Sequence, residues 1–221
     1  MAHTLRILSI SQVTHNVRCI RLEKPDGYIF SPGQATEVAI NKKDWISEKR
    51  PFTFTSLNDD PYLEFTIKCY SDHDGVTNQV SMLKEGDELI IDEPWGAIAY
   101  KGEGCFIAGG AGITPFIAIL RQLYKEGKVA GNKLFFSNKT AKDIIYEQEL
   151  QQILGKDAIF IVTENDEASY PHDYIDGRFL DAHLNSFDIP FYVCGPDAMI
   201  KSISNTLIKR GADPDAVIFE K

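Results

Sequence analysis

The stretch Gly104-Cys105-Phe106-Ile107-Ala108-Gly109-Gly110-Ala111-Gly112-Ile113-Thr114-Pro115-Phe116-Ile117-Ala118-Ile119-Leu120 reads as a strand, a glycine turn and a helix start. Cys105 to Ala108 is a short apolar run of the kind a buried strand shows. Gly109, Gly110 and Gly112 let the backbone turn sharply and approach a ligand, since no Cβ intervenes. Thr114 suits an N-cap and Pro115 a first helical residue, because proline lacks the amide proton that this position leaves unused. Phe116, Ile119, Leu120 and Leu123 recur at helical spacing, and Gly127 can end the helix. Free amides and the positive dipole end would then face the turn, which suits a pyrophosphate. The same residues also suit an ordinary strand-to-helix turn, and Pro115 stands where the usual dinucleotide fingerprint has glycine. The 16 uncharged residues from Cys105 to Leu120 are too few, and too broken by glycine and proline, for a membrane span.

Downstream, strand and helix alternate. Strands are expected at Lys133–Ser137, Ala158–Thr163, Phe191–Cys194 and Val217–Phe219, and helices at Pro115–Glu126, Glu147–Leu154 and Ala198–Lys209. Such alternation implies a parallel sheet covered on both faces. Ligands of these sheets bind beyond the carboxyl ends of the strands. Three of those ends carry notable residues: Gly109–Thr114, Ser137-Asn138-Lys139-Thr140 and Cys194-Gly195-Pro196. Residues 164–174 read as a polar loop with Asp176-Gly177-Arg178 at its far end.

Upstream the pattern is different. Short strands recur at Leu5–Val13, Asn16–Leu22, Ala35–Ile40, Arg50–Ser56, Tyr62–Tyr70 and Glu88–Asp92, with turns at Pro25-Asp26-Gly27 and Pro32-Gly33-Gln34. This implies an antiparallel barrel or sandwich, interrupted by one helix over Gly75–Leu83. In Arg50-Pro51-Phe52-Thr53-Phe54-Thr55-Ser56, the proline forces Arg50 toward extended backbone. A guanidinium there can fork onto a phosphate. Phe52 offers a flat apolar face, and Thr53 and Ser56 offer hydroxyls. A surface arginine on an edge strand accounts for the same letters. Asp74-Gly75-Val76-Thr77 opens the helix with amides that suit a second phosphate oxygen, or serves as a plain cap.

Composition narrows the classes. The 221 residues carry a net charge of −9 spread over both halves, which argues against a nucleic-acid footprint. Nothing at the start of the chain reads as a signal peptide or membrane anchor, so a cytoplasmic setting without membrane insertion is expected. The four cysteines lie far apart in apolar contexts, as buried thiols of a reducing compartment do. Neither cysteines nor histidines have metal-ligand spacing, so no metal is expected.

Taken together and in this order, the segments resemble the ferredoxin–NADP reductase superfamily of flavin enzymes. Arg50-Pro51-Phe52-Thr53 is similar to its arginine–x–tyrosine–serine/threonine flavin motif, and Gly75-Val76-Thr77 to its flavin pyrophosphate loop. Gly110–Pro115 resembles its nicotinamide-domain glycine motif. Cys194-Gly195-Pro196 with Met199 resembles its cysteine–glycine–proline–x–x–methionine segment. The resemblance spans nearly the whole chain. It implies a β plus α/β protein: a six-stranded antiparallel FAD-binding barrel over 1–100, then a parallel-sheet NAD(P)-binding α/β domain over 101–221.

The resemblance also implies roles. Arg50 would bind the flavin diphosphate, Phe52 would pack on the isoalloxazine ring, Thr53 would hydrogen-bond near its N5, and Lys68 would line the flavin along its strand. Pro51 and Ser56 belong to the same segment, and Gly75, Val76 and Thr77 to the diphosphate loop. Gly109, Gly110, Gly112, Thr114, Pro115, Asn138, Lys139, Gly195, Pro196 and Met199 would hold the nicotinamide nucleotide. Thr114 and Cys194 would sit where the nicotinamide meets the flavin, Cys194 as a neutral thiol. Thr53, Cys194 and Glu220 are thus the residues implied at the reacting atoms. Two departures stand out: Phe52 replaces the usual tyrosine, and Phe219-Glu220-Lys221 lacks the aromatic residue that follows the terminal glutamate in many relatives, implying an exposed flavin face.

The implied cofactor is FAD rather than FMN, with NADH or NADPH as donor. Asn138-Lys139-Thr140-Ala141-Lys142-Asp143-Ile144 resembles the segment of NADH-preferring cytochrome reductases in the superfamily, which favours NADH. The implied activity is hydride transfer from NAD(P)H to FAD, then electron delivery to a separate carrier such as flavodoxin or ferredoxin. An electron-transfer subunit of a larger complex, and a flavin-binding sensor or scaffold without turnover, remain alternatives, since fold alone does not decide function.

Overall fold

Residues 2–70, 74–96, 98–164, 169–171 and 173–219 are described by a computed structural model of the chain. The first half supplies strands β1 (His3–Thr14), β2 (Val17–Glu23), β3 (Ala35–Ile40), β4 (Arg50–Thr53), β5 (Tyr62–Lys68) and β6 (Glu88–Ile91). They form one six-stranded sheet, in the order β4-β3-β6-β1-β2-β5, with every ladder antiparallel. The period of two along the strands sends Leu5, Ile7, Ile20, Leu22, Val38 and Ile40 into a common core. Phe30 stacks on Phe54 there with ring centroids 4.3 Å apart. Each such fully buried side chain contributes about 1.5–3 kcal/mol.

Strand Arg50–Ser56 was expected to continue, but its ladder with β3 stops at Thr53 because the chain there changes partners. Phe54 forms an isolated antiparallel bridge with Phe65, and the Thr55 amide donates to the Glu64 carbonyl at 2.8 Å. That crossing brings the two outer strands together and closes the barrel. The expected helix is shorter than its pattern: α1 (Val76–Val80) has five residues. Val76, Val80 and Leu83 nonetheless cap the barrel core.

The second half contains β7 (Cys105–Gly109), α2 (Thr114–Lys125), β8 (Lys133–Asn138), α3 (Glu147–Leu154), β9 (Ala158–Val162), α4 (Gly177–His183), β10 (Phe191–Cys194), α5 (Asp197–Lys209) and β11 (Val217–Phe219). Its sheet is parallel throughout, in the order β11-β10-β7-β8-β9. Alternate strand residues serve different layers. Phe106, Ala108, Leu134, Phe136 and Tyr192 pack with α2 and α3, whereas Cys105, Ile107, Phe135, Phe191 and Val193 pack with α4 and α5. Helix α4 went unforeseen, because its seven residues bury only Phe179 and Leu180.

Strand order reverses between β7 and β10: the chain runs outward from β7 through β8 to β9, then returns to β10 on the other side. Open parallel sheets bind ligands at such a switch point. The barrel abuts the α2–α3 face, and Val17 and Ile98 are buried in the same cluster as Phe106 and Phe116. Among the described residues, no helix is long and apolar enough to cross a membrane.

Candidate active site

The glycine turn is built differently from its sequence pattern. Strand β7 runs through Gly109, and Gly110–Ile113 forms a 3-10 turn before α2. Ile113, not Thr114, is the residue preceding the helix, and the Thr114 hydroxyl donates to the Ala111 carbonyl at 3.0 Å. Thr114 is therefore a helical residue and not an N-cap, because the 3-10 turn has already curled the backbone. Pro115 is buried in the first turn of α2 and shapes the helix start from within.

Only Gly110 adopts left-handed backbone in this turn, with φ +54°. At Gly112 the reason for glycine is a close approach: a Cβ would lie 2.4 Å from the Cys194 carbonyl oxygen. At Gly109 it would lie 2.4 Å from the Met199 sulfur. The turn and the Cys194-Gly195-Pro196-Met199 segment are thus packed on each other. Gly112 thus lets these two strand ends meet, since a side chain there would press on the Cys194 backbone, while both Gly109 and Gly112 also line the cavity described next.

A cavity of about 650 Å³ opens at this switch point. Gly109, Gly110, Gly112, Thr114, Asn138, Lys139, Cys194, Gly195, Pro196 and Met199 line it from the sheet side, and Lys68 with Tyr70 from the barrel side. Most residues expected to hold the nicotinamide nucleotide are therefore brought together. Ser137, flagged with its strand end, joins them, as do Thr163 and Asp143, which were not assigned to the site. The signal for Ser137 and Thr163 was their place at the carboxyl ends of adjacent parallel strands. A neighbouring cavity of about 350 Å³ shares Ser137, Thr163 and Met199 and extends past Asp176 toward α5.

Asn138 carries the most direct mark of a ligand. Its side chain is buried, and neither its amide nitrogen nor its carbonyl oxygen has a partner among the described residues. An unpaired buried amide costs about 1–3 kcal/mol, and such a group beside a cavity fits a ligand with both donors and acceptors. Cys194 is 5% exposed at the end of β10, on the sheet face that also takes in Val17 and Ile98. Across the cavity, the Lys68 ammonium lies 3.6 Å from the Asp143 carboxylate. Burial pushes the Asp143 carboxyl up, but bonds from Thr140 and the charge of Lys68 outweigh it and hold it below the usual range.

The residues expected to bind the flavin lie outside this cavity, on the barrel. Arg50 and Pro51 are exposed on the edge strand β4, Phe52 is half-buried and Thr53 is buried. The Arg50 guanidinium donates to the Lys49 carbonyl at 2.7 Å and lies 3.7 Å from the Glu48 carboxylate, with both side chains about half exposed. Such an exposed pair is worth little, so the cation can turn to a diphosphate at small cost. The Phe54–Phe65 bridge also sets the far ends of β4 and β5 on one side of the barrel, which brings Arg50 and Lys68 to the same rim. Gly75 precedes α1 with no side chain capping it, as a diphosphate loop requires; Val76 is buried and Thr77 partly so.

Ser56 is fully buried, and its hydroxyl accepts the Glu64 amide at 2.9 Å. Its place past the strand crossing turns it into the barrel. Glu220 lies outside the described residues.

Comparison with known proteins agrees with this division. A family model described as "FAD-binding domain" matches residues 2–99, and one described as "Oxidoreductase NAD-binding domain" matches residues 106–205. The chain is 31% identical over 222 residues to NADH-cytochrome b5 reductase 2 of Aspergillus clavatus, covering 90% of this chain and 67% of that protein. It is 27% identical over 235 residues to the reductase component of propane 2-monooxygenase from Rhodococcus jostii, covering 98% of this chain and 62% of the relative. The chain thus spans about three-fifths to two-thirds of the length of these relatives. Its fold matches the FAD/NAD-binding domain of nitric oxide dioxygenase from Vibrio cholerae with a TM-score of 0.86 at 19% identity, over 98% of this chain and 97% of that one. The shared fold, the paired domain matches and the residues gathered at the switch point lead to one assignment: the chain belongs to the ferredoxin–NADP reductase superfamily.

Proposed function

We propose that this chain is an NADH-dependent flavoprotein reductase that passes electrons from bound FAD to a separate acceptor protein. The observation that carries the reading is the cavity at the switch point, walled by Thr114 and Cys194 on one side and by the rim of the barrel on the other. Bound FAD would supply the redox chemistry: it would take the hydride as the C4–H bond of the reduced nicotinamide breaks to leave the oxidised nucleotide, and its two electrons would pass singly to an acceptor. The chain's own part is alignment. Arg50 and the amides at Gly75–Thr77 hold the diphosphate, Phe52 offers the ring an apolar face, and Thr53 and Lys68 border it. The glycine turn and Asn138 hold the nucleotide, and Cys194 packs beside the nicotinamide as a neutral thiol.

The halves 1–100 and 101–221 serve as the FAD-binding and NAD-binding domains. NADH is favoured because the Aspergillus relative is by its name an NADH-cytochrome b5 reductase, and because each candidate cation for a 2′-phosphate has a carboxylate beside it. Lys139 lies 3.2 Å from the Glu164 carboxylate, and Arg178 lies 3.4 Å from Asp176, an acid that itself lines the adjoining cavity. Four cysteines free of disulfides favour a cytoplasmic setting. The acceptor is a one-electron carrier such as ferredoxin or flavodoxin, or an oxygenase partner of the kind the Rhodococcus reductase component serves by its name. The latter would make the chain the electron-transfer subunit of a larger system.

The test is anaerobic mixing of the FAD-loaded protein with NADH and, separately, NADPH. Fast bleaching of the flavin absorbance by NADH, with at least a tenfold lower efficiency for NADPH, is expected. A protein that binds FAD yet is bleached by neither is a binding module. A preference for NADPH would reverse the choice of donor.

A further inference from the structure

The two halves are joined by an ionic cluster centred on the buried Glu64. Glu64, in the middle of β5, is 2% exposed, and its carboxylate is held from three directions. Arg21 of the neighbouring strand reaches it at 2.9 Å, the Thr55 hydroxyl at 3.0 Å, and Arg121 of α2 at 2.7 Å. Arg121 belongs to the other half. The same Nη1 that meets Glu64 also donates to the Thr55 carbonyl at 2.6 Å. Its Nε and Nη2 fork onto Glu149 of α3 at 2.5 and 2.9 Å.

Tyr146 closes the cluster. Its ring lies under the Arg121 guanidinium at 5.1 Å, and its hydroxyl is 3.3 Å from the Thr66 hydroxyl of the barrel. It is also the one described non-glycine residue with positive φ, at 52°. A left-handed backbone at a bulky residue persists only where its surroundings over-determine it. Four N–H donors of the Arg121 fork thus join one strand crossing, one barrel strand and one helix.

The covalent path from this cluster to the cavity is short on both sides. Thr55 lies two residues beyond Thr53. Arg121 lies seven residues beyond Thr114, about 10 Å along the helix. We propose that Arg121 is a positioning residue for hydride transfer: by clamping Thr55 and Glu64 to α2, it sets the distance between the barrel surface that carries the flavin and the turn that carries the nicotinamide. This inference rests on the reductase reading above. Hydride transfer needs its atoms about 3–3.5 Å apart, and a displacement near 1 Å costs about a hundredfold in rate. A lysine would keep the charge but cannot fork onto three acceptors.

The test compares Arg121→Lys, Arg121→Met and Glu149→Gln with Lys125→Met, which removes an exposed pair to Asp59 across the same junction. Rapid mixing of the FAD-loaded proteins with NADH gives the limiting rate of flavin reduction per bound flavin. The expected loss is about tenfold in Arg121→Lys and about a hundredfold in Arg121→Met. The flavin midpoint potential and FAD affinity should stay unchanged, and Lys125→Met should keep the wild-type rate. Hydrogen exchange on the chain without cofactor should quicken at least tenfold over residues 64–66 and 146–150 in the Arg121 variants.

Rates per bound flavin within twofold of wild type in the Arg121 variants, whatever their melting temperatures, would reduce Arg121 to a structural role and overturn the proposal. So would unchanged exchange over those residues. Should Arg121→Met not fold, Arg121→Lys and Glu149→Gln carry the same comparison. A wild-type protein that NADH fails to bleach would sink the reductase reading instead, while the exchange measurement would still decide whether Arg121 holds the junction.

Discussion

The two walls of the crevice are made in opposite ways. On the sheet side, β7 and β10 are packed so tightly that a Cβ at Gly112 would lie 2.4 Å from the Cys194 carbonyl oxygen, and the cavity opens at this junction. On the barrel side, the candidate flavin residues sit on the edge strand β4, with Arg50 in solvent and only a weak partner. A shape set by backbone packing is rigid and is paid for in folding; a cation on an edge strand is adaptable and acquires its value only when an anion binds. Between the two halves lies the Glu64–Arg121 cluster, which couples a rigid wall to an open one.

The largest expected effect asks whether these walls are one unit. Glu64→Gln should destabilise the protein by about 1.5–3 kcal/mol, because it weakens the charged hydrogen bonds from Arg21 and Arg121 while both arginines keep some access to solvent. Burial raises the Glu64 carboxyl, but Arg121 and Arg21 outweigh that and hold it below its ordinary value near 4.5. A depressed folded value gives stability that is fully present above about pH 4.5 and lost as the pH falls through the folded value. The melting temperature of the wild type should therefore fall more steeply than that of Glu64→Gln on acidification from about pH 5 to 3. Parallel slopes would show that Glu64 is not the acid-labile group. Two separate melting transitions would break the picture of coupled walls.

Next is the open wall. Arg50→Ala should weaken FAD binding by about 1.5–3 kcal/mol, tenfold or more in dissociation constant, the worth of a charged hydrogen bond. The cofactor-free protein should keep its stability within about 0.5 kcal/mol, as for other exposed substitutions. Titration of the cofactor-free chain with FAD and thermal denaturation check the two halves of this expectation. A large loss of stability would mean that the open wall is structural after all.

The rigid wall should respond the other way. Gly112→Ala forces a methyl group against backbone and should cost about 1–3 kcal/mol in folding. It should lower the efficiency with NADH while FAD affinity is retained. Asn138→Leu should give the smallest change and the opposite sign. Removing an unpaired buried amide should stabilise the cofactor-free chain by about 1 kcal/mol, while KM for NADH rises severalfold. A stability gain without a change in KM would detach Asn138 from the nucleotide.

Much of the scaffold was legible from local pattern. The period of two in Leu5–Val13 and the alternation of apolar runs with helical spacing after Gly104 identified both sheets, because strand and helix periods are properties of neighbouring residues. Strands β3, β10 and β11 and helix α3 fall on their expected bounds. Helix α4 was missed although Asp176 offered a readable cap, its carboxylate accepting the Phe179 amide at 2.9 Å. With two buried residues in seven, its amphipathic signal was too weak to stand out from a polar loop. The expected strand Arg50–Ser56 was too long by three residues, since a change of ladder partner leaves no mark on side-chain alternation.

The amino-acid sequence by itself determined the two architectures, the turn that separates them from a bland fold, and the side chains at the strand ends. Those follow from steric and periodic rules acting over a few residues. Tertiary structure alone decided that Gly112 serves contact between strands, that Ser56 faces inward and that Asn138 lacks a partner among the described residues. It also joined Glu64 to Arg121 across 57 residues of chain. A buried charge finds its counter-charge in space, and spacing along the chain carries no record of which distant element will supply it.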